Sequence, residues 1–361
     1  MRVLHSTLMK HYSSGIVFQM YSEYKAAKKI GIDYDVKIFM PEQSVPDEYK
    51  EIIHFFKIEN SSKISSWFEI RKKYYEWLST EQNAIDIYVL RYLMYDPYQY
   101  FFIKNNRKKI YLVHHTLELP ELRMNGFKGY IQSLLDSYWG GGAIKAASGI
   151  VGVTGEIVNY EKKRAKCQDK IGIIYPNGID VDKDEILDLR ESYIPEILFV
   201  ASYFYEWHGL DTLIEKAEES NLNFIIHIVG CVSERDAENL KKDKRFVWHS
   251  SLTSEEIIKV SAKCWIALGS FALYRKKLNE GCTLKVREYL KNGLPVYSGH
   301  QDIFPIDFLF YKYSELELEK IVNFAHEMRK INKADVRNAS ENYISKEVLL
   351  ENFYKQITKE I

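Results

Sequence analysis

The sequence has few cysteines, and none of them form a recognisable cluster. Cys167, Cys231, Cys264 and Cys282 are far apart and make no CxxC pair, which excludes a zinc ribbon or a disulfide framework and favours a reducing compartment. No run of about eighteen apolar residues occurs, so we expect no membrane-spanning helix. The N-terminal MRVLHSTLMKHYSSG lacks the apolar core of a signal peptide. We therefore expect a cytoplasmic protein and leave open a peripheral contact with the inner face of the membrane.

An excess of charge of either sign is also missing. The 361 residues include 50 Lys and Arg and 50 Asp and Glu, for a formal net charge of zero. This balance argues against a dedicated nucleic-acid-binding protein. The chain is too long for one ordinary core and suits two domains of roughly 150 to 180 residues.

The first half of the sequence begins with a strand, a turn, a helix and a second strand. The strand RVLHSTL (2–8) is followed by the turn HYSSG (11–15), a helical pattern that stops at Gly31, and the strand DVKIFM (35–40). This order predicts a βαβ unit that opens a parallel sheet. GxGxxG is absent from the first turn, which disfavours a dehydrogenase. The serines and glycine of the turn fit a phosphate site or any tight β-to-α connection.

Two adjacent histidines follow a buried strand in this first half. The segment KKIYLVHHT (108–116) reads as a strand that ends in His114 and His115. Ligand sites in open α/β sheets lie beyond the carboxyl ends of strands, so at least one of these histidines is a candidate site residue. The alternative is that one of them caps the following loop.

The alternation of strands and helices restarts in the second half. A charged, helical linker is predicted after the YPNGID turn, and the strand EILFVASY (196–203) then opens a second βαβ series. Thr253 and Glu256 have the spacing of a capping box. Two helices are predicted at the end of the chain, after the strand PVYSG (295–299). The sequence therefore predicts two Rossmann-like halves.

The segment EGCTLKVREYLKNGLPVY (280–297) carries the strongest chemical signal. Gly293 and Pro295 end a short helix predicted over 284–292, with Thr283 as its N-cap. The N–H groups at the start of this helix could seat a phosphate. Lys285 in the first turn opposes the helix dipole unless an anion neutralises it, and Glu288 could accept hydrogen bonds from vicinal hydroxyls. An amphipathic helix with solvated charges remains the alternative.

These residues resemble a known family of enzymes. YPNGID, then ILFVAS and WHGLDTLIEKA, then YRKKLNEGCTLKVREYLKNGLPVY are similar to motifs of the retaining glycosyltransferases of family 4, clearly over 171–300. The resemblance implies the GT-B fold, with two Rossmann-like βαβ domains facing across a cleft. The domains expected are an acceptor-side domain at 1–178, a nucleotide-sugar-binding domain at 179–345 and a C-terminal helix at 346–361 that crosses back to the first domain.

The resemblance also implies roles for individual residues. Glu288 would hold the ribose, Glu280 would face the donor sugar, and His114 or His115 would lie beside that sugar. The remaining donor contacts would come from Ser14, Gly15, Gly281, Cys282, Thr283, Leu284 and Lys285. Ser202 and His208 occupy positions where the family usually has Arg and Lys to neutralise the diphosphate. Lys285 and the cluster Arg275, Lys276 and Lys277 could compensate for them.

The activity implied is transfer of a sugar, with retention, from a nucleotide-sugar donor to a glycan or lipid-linked glycan, in bacterial polysaccharide or surface-glycan assembly. We expect no metal and no cofactor besides this donor substrate; the Asp-Val-Asp run at 180–182 falls in a turn, which argues against a metal-binding DxD. The alternatives are a nucleotide-sugar epimerase, an inverting transferase, or a non-catalytic protein that binds nucleotide-sugar or a partner enzyme. The aromatic segment 66–78 could touch a membrane surface or be an ordinary amphipathic helix.

Overall fold

The structure is a computed structural model that describes residues 1–59, 62–181 and 185–359. The chain folds as two compact units. The first unit runs to Pro176 and includes the C-terminal helix that begins at Lys346, and the second unit runs from Asn177 to Ser345. No helix in the described ranges is both long and apolar enough to cross a membrane.

Each unit contains one sheet whose neighbouring strands are all parallel. The first has the order β3-β2-β1-β4-β5-β6-β7 and the second the order β10-β9-β8-β11-β12-β13 within the described residues. The strands are β1 Val3–Leu8, β2 Tyr34–Pro41, β3 Ile53–Phe56, β4 Ile87–Arg91, β5 Lys109–His114, β6 Gly149–Gly152, β7 Ile171–Ile174, β8 Glu196–Tyr203, β9 Ile225–Cys231, β10 Phe246–Trp248, β11 Ile266–Leu268, β12 Val296–Ser298 and β13 Tyr311–Tyr313.

Helices connect most of the strands, as is usual for parallel pairing. The helices are α1 Ser14–Ile30, α2 Lys63–Thr80, α3 Pro97–Asn105, α4 Glu118–Arg123, α5 Gly126–Ala146, α6 Gly155–Arg164, α7 Leu210–Glu218, α8 Glu234–Lys242, α9 Ser254–Lys263, α10 Leu284–Lys291, α11 Leu318–Met328, α12 Lys333–Ile344 and α13 Lys346–Thr358. In the first unit, α13 packs on α1, and Lys346 donates to the side-chain oxygen of Gln19 at 3.1 Å.

Both sheets are buried on two faces, because successive strand residues enter different hydrophobic clusters. In β1, Val3 belongs to one cluster and Leu4 to another, and in β8 Phe199 and Leu198 are divided in the same way. Alternate side chains of a strand point to opposite faces, so helices must cover both. This two-sided burial is typical of parallel sheets and confirms the predicted α/β class.

Three local predictions differ from the structure. The charged linker is not helical over the described residues 185–195, because the extended chain makes tertiary contacts: Leu189 N donates to Ala262 O at 2.9 Å, and Arg190 donates to Arg329 O at 3.0 Å. The sequence reading did not find the short strand β3 inside the aromatic region 46–84. The chain end forms α11, α12 and α13 rather than two helices.

Candidate functional site

The second sheet reverses its strand order between β8 and β11. The chain runs outward from β8 through β9 to β10, and then from β11 through β12 to β13 on the other side. Ligands of open parallel sheets bind beyond the carboxyl ends of the strands at such a switch point. The segments that leave β8, β11 and β12, with the loop 279–283 before α10, are therefore the candidate site of the second unit.

The loop 279–283 is held by backbone pairing to the residue that follows β12. Gly281 N donates to Gln301 O at 2.8 Å, and Gln301 N donates to Asn279 O at 3.0 Å. A Cβ at Gly281 would lie 2.8 Å from a ring carbon of His300, so only glycine allows this close approach. Glu280 is half-buried and forms an isolated parallel bridge with Gln301.

A buried arginine supports the loop from behind. Arg287 is 0% exposed and pairs with both carboxylate oxygens of Asp302, at 2.5 and 2.6 Å. It also donates to Asn177 O at 3.1 Å and to Thr283 O at 3.4 Å, and Asn177 Nδ2 donates to Cys282 O at 2.7 Å. Burial alone would lower the pKa of Arg287, but Asp302 reverses the direction and raises it. Arg287 is therefore a charged, fully bonded support.

On the same short helix, the ammonium of Lys285 is buried and has no bonded partner among the described residues. Its ammonium lies 5.2 Å from the centre of the Phe199 ring, and no described residue accepts a hydrogen bond from it. Burial lowers the pKa of Lys285 to about 7. Burying an ammonium without a hydrogen-bond acceptor destabilises the protein, and a bound anion would supply that acceptor.

Two more buried polar atoms near Lys285 have no hydrogen-bond partner among the described residues: Thr283 Oγ1 and His300 Nε2. Thr283 is the N-cap of α10, as predicted, but its side chain makes no capping hydrogen bond. His300 Nδ1 lies 3.0 Å from Ser270 O; since a carbonyl only accepts, Nδ1 donates and Nε2 is left as an acceptor. The start of α10 and the segment after β12 therefore offer a ligand the Lys285 ammonium, the Thr283 hydroxyl and the His300 ring acceptor.

His208 follows β8 and is neutral at physiological pH. Tyr205 N donates to His208 Nδ1 at 3.0 Å, so the remaining proton is on Nε2, which is a donor. Burial, with the nearby charge of Lys285, lowers the pKa of His208 to about 3. Gly209 follows in the left-handed region at φ +77°, and a Cβ there would lie 3.0 Å from Phe271. The structure thus fixes this imidazole as a neutral hydrogen-bond donor close to Lys285.

The other candidate cations of the second unit are bound by the protein or exposed to solvent. Arg275 pairs with Asp211 at 2.8 Å and donates to Glu206 O at 2.7 Å. Lys276 lies over the Trp207 ring at 4.9 Å, and Lys277 is exposed at a left-handed position with φ 59°. Ser202 is exposed near the end of β8. Of the proposed compensating residues, Lys285 is the one with a buried ammonium that has no bonded acceptor among the described residues.

The two glutamates of the predicted pair differ in exposure. Glu288 is exposed on α10, although neighbouring atoms remove part of its hydration and raise its pKa, so its carboxylate can meet a ligand hydroxyl. Glu280 lies in the loop before the helix. Cys282 is buried behind the loop, and Leu284 is the first residue of α10.

The structure separates the two histidines of the first unit. His114 is 0% exposed; its ring stacks on Tyr92 at 4.4 Å between centres, and its Nδ1 lies 3.2 Å from Glu118 Oε2. His115 is half-buried, and burial with the nearby charges of Arg91, His5, His114 and Lys346 lowers its pKa well below the usual range. Of the two, His115 is the histidine that a ligand can reach.

His114 belongs to a buried charge network. Glu161 lies 3.7 Å from His114, and Arg164 bonds both Glu161 at 2.5 Å and Asp136 at 2.9 Å. Nδ1 of His114 and carboxylate oxygens of Glu118 and Glu161 lie within 4.8 Å of one another, a spacing that could also hold a metal ion. Arg164 already supplies positive charge there. The absence of a metal stays a prediction, and Asp182 of the Asp-Val-Asp run lies outside the described residues.

Ser14 and Gly15 are the first two residues of α1, and both are exposed. A Cβ at Gly15 would meet nothing within 4 Å, and Ser13 makes no side-chain capping bond. The start of this helix therefore has open N–H groups, although no buried polar group is directed at it in the described structure.

The sequence reading missed the residues that support the site. Arg287 looks like a solvated helix charge in sequence, and Asp302 and Asn177 lie 15 and 110 positions from it. No signal in the sequence indicated these contacts, because the burial of Arg287 on α10 is known only from the structure. In the first unit, Tyr92, Asp136, Glu161 and Arg164 were likewise not singled out.

Comparisons with known proteins give the fold. The sequence matches no protein-family model, and the search of curated proteins finds no significant relative. A glycosyltransferase from Rickettsia africae matches with a TM-score of 0.67 at 16% identity, over 100% of both chains. The lipopolysaccharide outer core galactosyltransferase WaaB matches with a TM-score of 0.67 at 12% identity over 99% of both chains. Anabaena HepE in complex with UDP matches with a TM-score of 0.65 at 12% identity, over 99% of this chain and 100% of that one. The chain therefore has the GT-B fold, as predicted.

Proposed function

We propose that this protein is a glycosyltransferase that moves a sugar from a nucleoside diphosphate sugar to a hydroxyl of a glycan or lipid-linked glycan, with retention. The observation that carries the proposal is the buried ammonium of Lys285, at the start of α10 and without a bonded acceptor among the described residues. A diphosphate supplies the missing acceptor oxygens, and the first N–H groups of α10 supply further donors to it.

The residues around Lys285 suit a leaving diphosphate. In the proposed step, the bond from the anomeric carbon to the diphosphate oxygen breaks, and the acceptor oxygen bonds to the same face of that carbon. The acceptor proton passes to the leaving diphosphate. Negative charge grows on the diphosphate as it leaves. Preorganised donors at Lys285, His208 Nε2 and Thr283 lower the barrier by donating hydrogen bonds to this charge. Glu288 accepts from the ribose hydroxyls, and Glu280 faces the sugar.

The comparisons support UDP as the first donor nucleotide to test. HepE was determined with UDP and with UDP-glucose, and an α-glucosyltransferase of similar fold was determined with UDP. The name of WaaB, a lipopolysaccharide galactosyltransferase, supports a role in bacterial surface-glycan assembly. A cytoplasmic location, expected from the sequence, belongs to the same proposal.

Thermal stability against UDP-, GDP-, ADP- and dTDP-sugars and the free nucleotides tests donor binding. Ligand at about 100 times its Kd should add roughly 2.7 kcal/mol, a shift of several degrees. Glu288→Ala should lose most of this shift, whereas Glu215→Ala, at an exposed glutamate of α7, should keep it. The absence of a shift with every nucleotide would contradict the proposal.

The stereochemistry of the product tests retention. With the donor identified, the anomeric configuration of the transferred sugar is read by NMR from the coupling at the anomeric proton. We expect the configuration of the donor to be kept, and the opposite configuration would identify an inverting transferase.

Two alternatives have specific observations in their favour. A candidate UDP-N-acetylglucosamine 2-epimerase from Listeria monocytogenes has a similar fold, with a TM-score of 0.56 at 11% identity; conversion of the nucleotide-sugar without an acceptor would favour that reaction. Ser202 and His208, in place of Arg and Lys, favour a non-catalytic protein. Transfer or donor hydrolysis that is lost in Glu280→Ala would exclude the non-catalytic alternative.

A further inference from the structure

Helix α5 of the first unit exposes an apolar face. Phe127 is 81% exposed and Tyr138 is 71% exposed. The exposed apolar residues recur at helical spacing, which places them on one side of the helix. They are Phe127, Tyr130, Ile131, Leu134, Leu135 and Tyr138, called the α5 face below.

The opposite side of α5 is small and polar, and it is the side that packs on the unit. Asp136 is 0% exposed and accepts from the hydroxyl of Tyr92 at 2.5 Å, from Tyr95 N at 2.7 Å and from Arg164 at 2.9 Å. A Cβ at Gly140 would lie 1.8 Å from the Tyr92 hydroxyl. These contacts fix the rotation of the helix. Turning the apolar face inward would move Asp136 away from its three hydrogen-bond partners and break those bonds. The exposure of the α5 face is therefore built into the packing.

The exposed charged side chains of α5 are positive. Over Gly126–Ala146 the charged side chains are Lys128, Asp136 and Lys145; both lysines are exposed, while Asp136 is buried. Arg123, at the end of α4, is exposed next to the start of α5. At the other end, Trp139 packs against Phe101 of α3 with 5.5 Å between ring centres, which extends the aromatic surface.

We propose that the α5 face binds the headgroup and acyl boundary of a bilayer that contains anionic lipid. An apolar helical face with aromatic residues and flanking cations is the pattern of an interfacial helix, and tyrosine and tryptophan favour the membrane–water boundary. A second copy of the chain fits less well. In a two-fold contact the same residues meet, so Lys128 would approach other cations with no exposed acid of α5 to neutralise them.

This surface differs from the membrane contact considered in the sequence. The aromatic segment 66–78 lies in α2, which buries Ile70, Tyr74, Tyr75 and Leu78. Arg71 covers the Trp67 ring at 3.7 Å. The packing of α2 thus uses most of its aromatic and apolar side chains within the first unit, whereas α5 directs its own to solvent. The proposed contact does not depend on the reaction described above.

Sedimentation of the full-length protein with vesicles tests the proposal. The probes are vesicles of phosphatidylcholine alone and vesicles of phosphatidylcholine with phosphatidylglycerol. We expect wild-type protein to bind the anionic vesicles more tightly than the neutral ones. Phe127→Glu with Leu134→Glu should reduce this binding by about tenfold or more, because the change removes apolar area and adds repulsion.

A matched variant in the second unit controls for loss of exposed apolar area in general. Ile306→Glu with Leu309→Glu changes residues that are 107% and 73% exposed and should bind vesicles as wild type does. Circular dichroism of both variants would check that they are folded. Equal binding to neutral and anionic vesicles, or no vesicle binding by wild type, would overturn the proposal. So would a dimer in analytical ultracentrifugation that the α5 variant abolishes while its vesicle binding stays at the wild-type level.

Discussion

Two cations on helix α10, two residues apart, are buried in opposite ways. Arg287 has a carboxylate and two backbone carbonyls as acceptors. Lys285 has an aromatic ring beside it but no bonded acceptor among the described residues. An unpaired buried charge destabilises a protein, whereas a paired one can be tolerated. We therefore interpret Arg287 as a structural residue and Lys285 as a candidate ligand-binding residue.

The adjacent histidines of the first unit differ in exposure. His114 is fully buried, where its ring stacks on Tyr92 and its Nδ1 faces two carboxylates, although its Nε2 has no hydrogen-bond partner among the described residues. His115 is half-buried, and burial together with the nearby positive charges lowers its pKa. Exposure and bonding partners together, rather than residue type or position in the sequence, distinguish a structural group from a candidate ligand-binding group.

The largest effect should come from removing the partner of Arg287. Asp302→Ala leaves a buried guanidinium without its carboxylate, and breaking a buried pair in this way costs about 3–5 kcal/mol. We expect the melting temperature of the full-length protein to fall by roughly 6–20 °C. Nucleotide binding should weaken as well, because the loop 279–283 loses its support.

The double variant Arg287→Met with Asp302→Leu separates charge from packing. It removes both charges and keeps most of the volume, so it should recover part of the lost stability. A double variant no more stable than Asp302→Ala would mean that the bonds to Asn177 and Thr283, rather than the ion pair, hold the loop.

His114 and His115 should respond differently to the same substitution. His114→Ala empties a fully buried site and leaves Glu118 and Glu161 without the imidazole, so we expect a loss of about 2–4 kcal/mol in stability. His115→Ala should cost less than about 1 kcal/mol, since its side chain is partly exposed. Chemical denaturation of the two variants measures the difference, and equal losses would show that His115 is also a structural residue.

Lys285→Met should have opposite effects on stability and on nucleotide binding. Without ligand, the variant should be as stable as wild type or more stable, because it replaces an unpaired buried ammonium with an apolar chain. Nucleotide binding, measured by calorimetry, should weaken by about 1–3 kcal/mol through loss of a charge-assisted contact. Lys216→Met, at an exposed lysine of α7, should change neither quantity. A loss of binding no larger than in this control would contradict the role of Lys285.

Much of the fold could be predicted from sequence, because it depends on local patterns. The strand Glu196–Tyr203 has the predicted boundaries, and the helix Leu284–Lys291 ends one residue before the predicted end, since apolar runs and caps mark them. The capping box at Thr253 was also confirmed.

The support of the site was not predictable in the same way. Arg287, Asp302 and Asn177 meet only through tertiary packing, and a single sequence gives no signal for a pair separated by 110 positions. The two histidines also differ in burial. Neighbouring side chains at the end of β5 point to opposite faces of the sheet, but which of those faces is covered is known only once the helices are placed.

The smallest expected effect is the pH dependence of nucleotide binding. In the protein without ligand, burial lowers the pKa of Lys285 from its usual value to about 7, while His208, with a pKa of about 3, stays neutral above pH 5. A bound diphosphate favours the ammonium and raises the pKa of Lys285 again. Below pH 7 the lysine is protonated before and after binding, so affinity should be constant. Above pH 7 binding must take up a proton, so affinity should fall by up to about tenfold per pH unit.

Calorimetry at pH 8 in two buffers of different ionisation enthalpy would detect this proton directly. We expect uptake of nearly one proton per nucleotide in wild type and none in Lys285→Met. The same reasoning gives the stability of the ligand-free protein: the unfolded chain binds the proton more tightly, so stability should rise with pH between about 7 and 10. Uptake that persists in Lys285→Met would assign the proton to another group and remove the distinction between Lys285 and Arg287 on which the site rests.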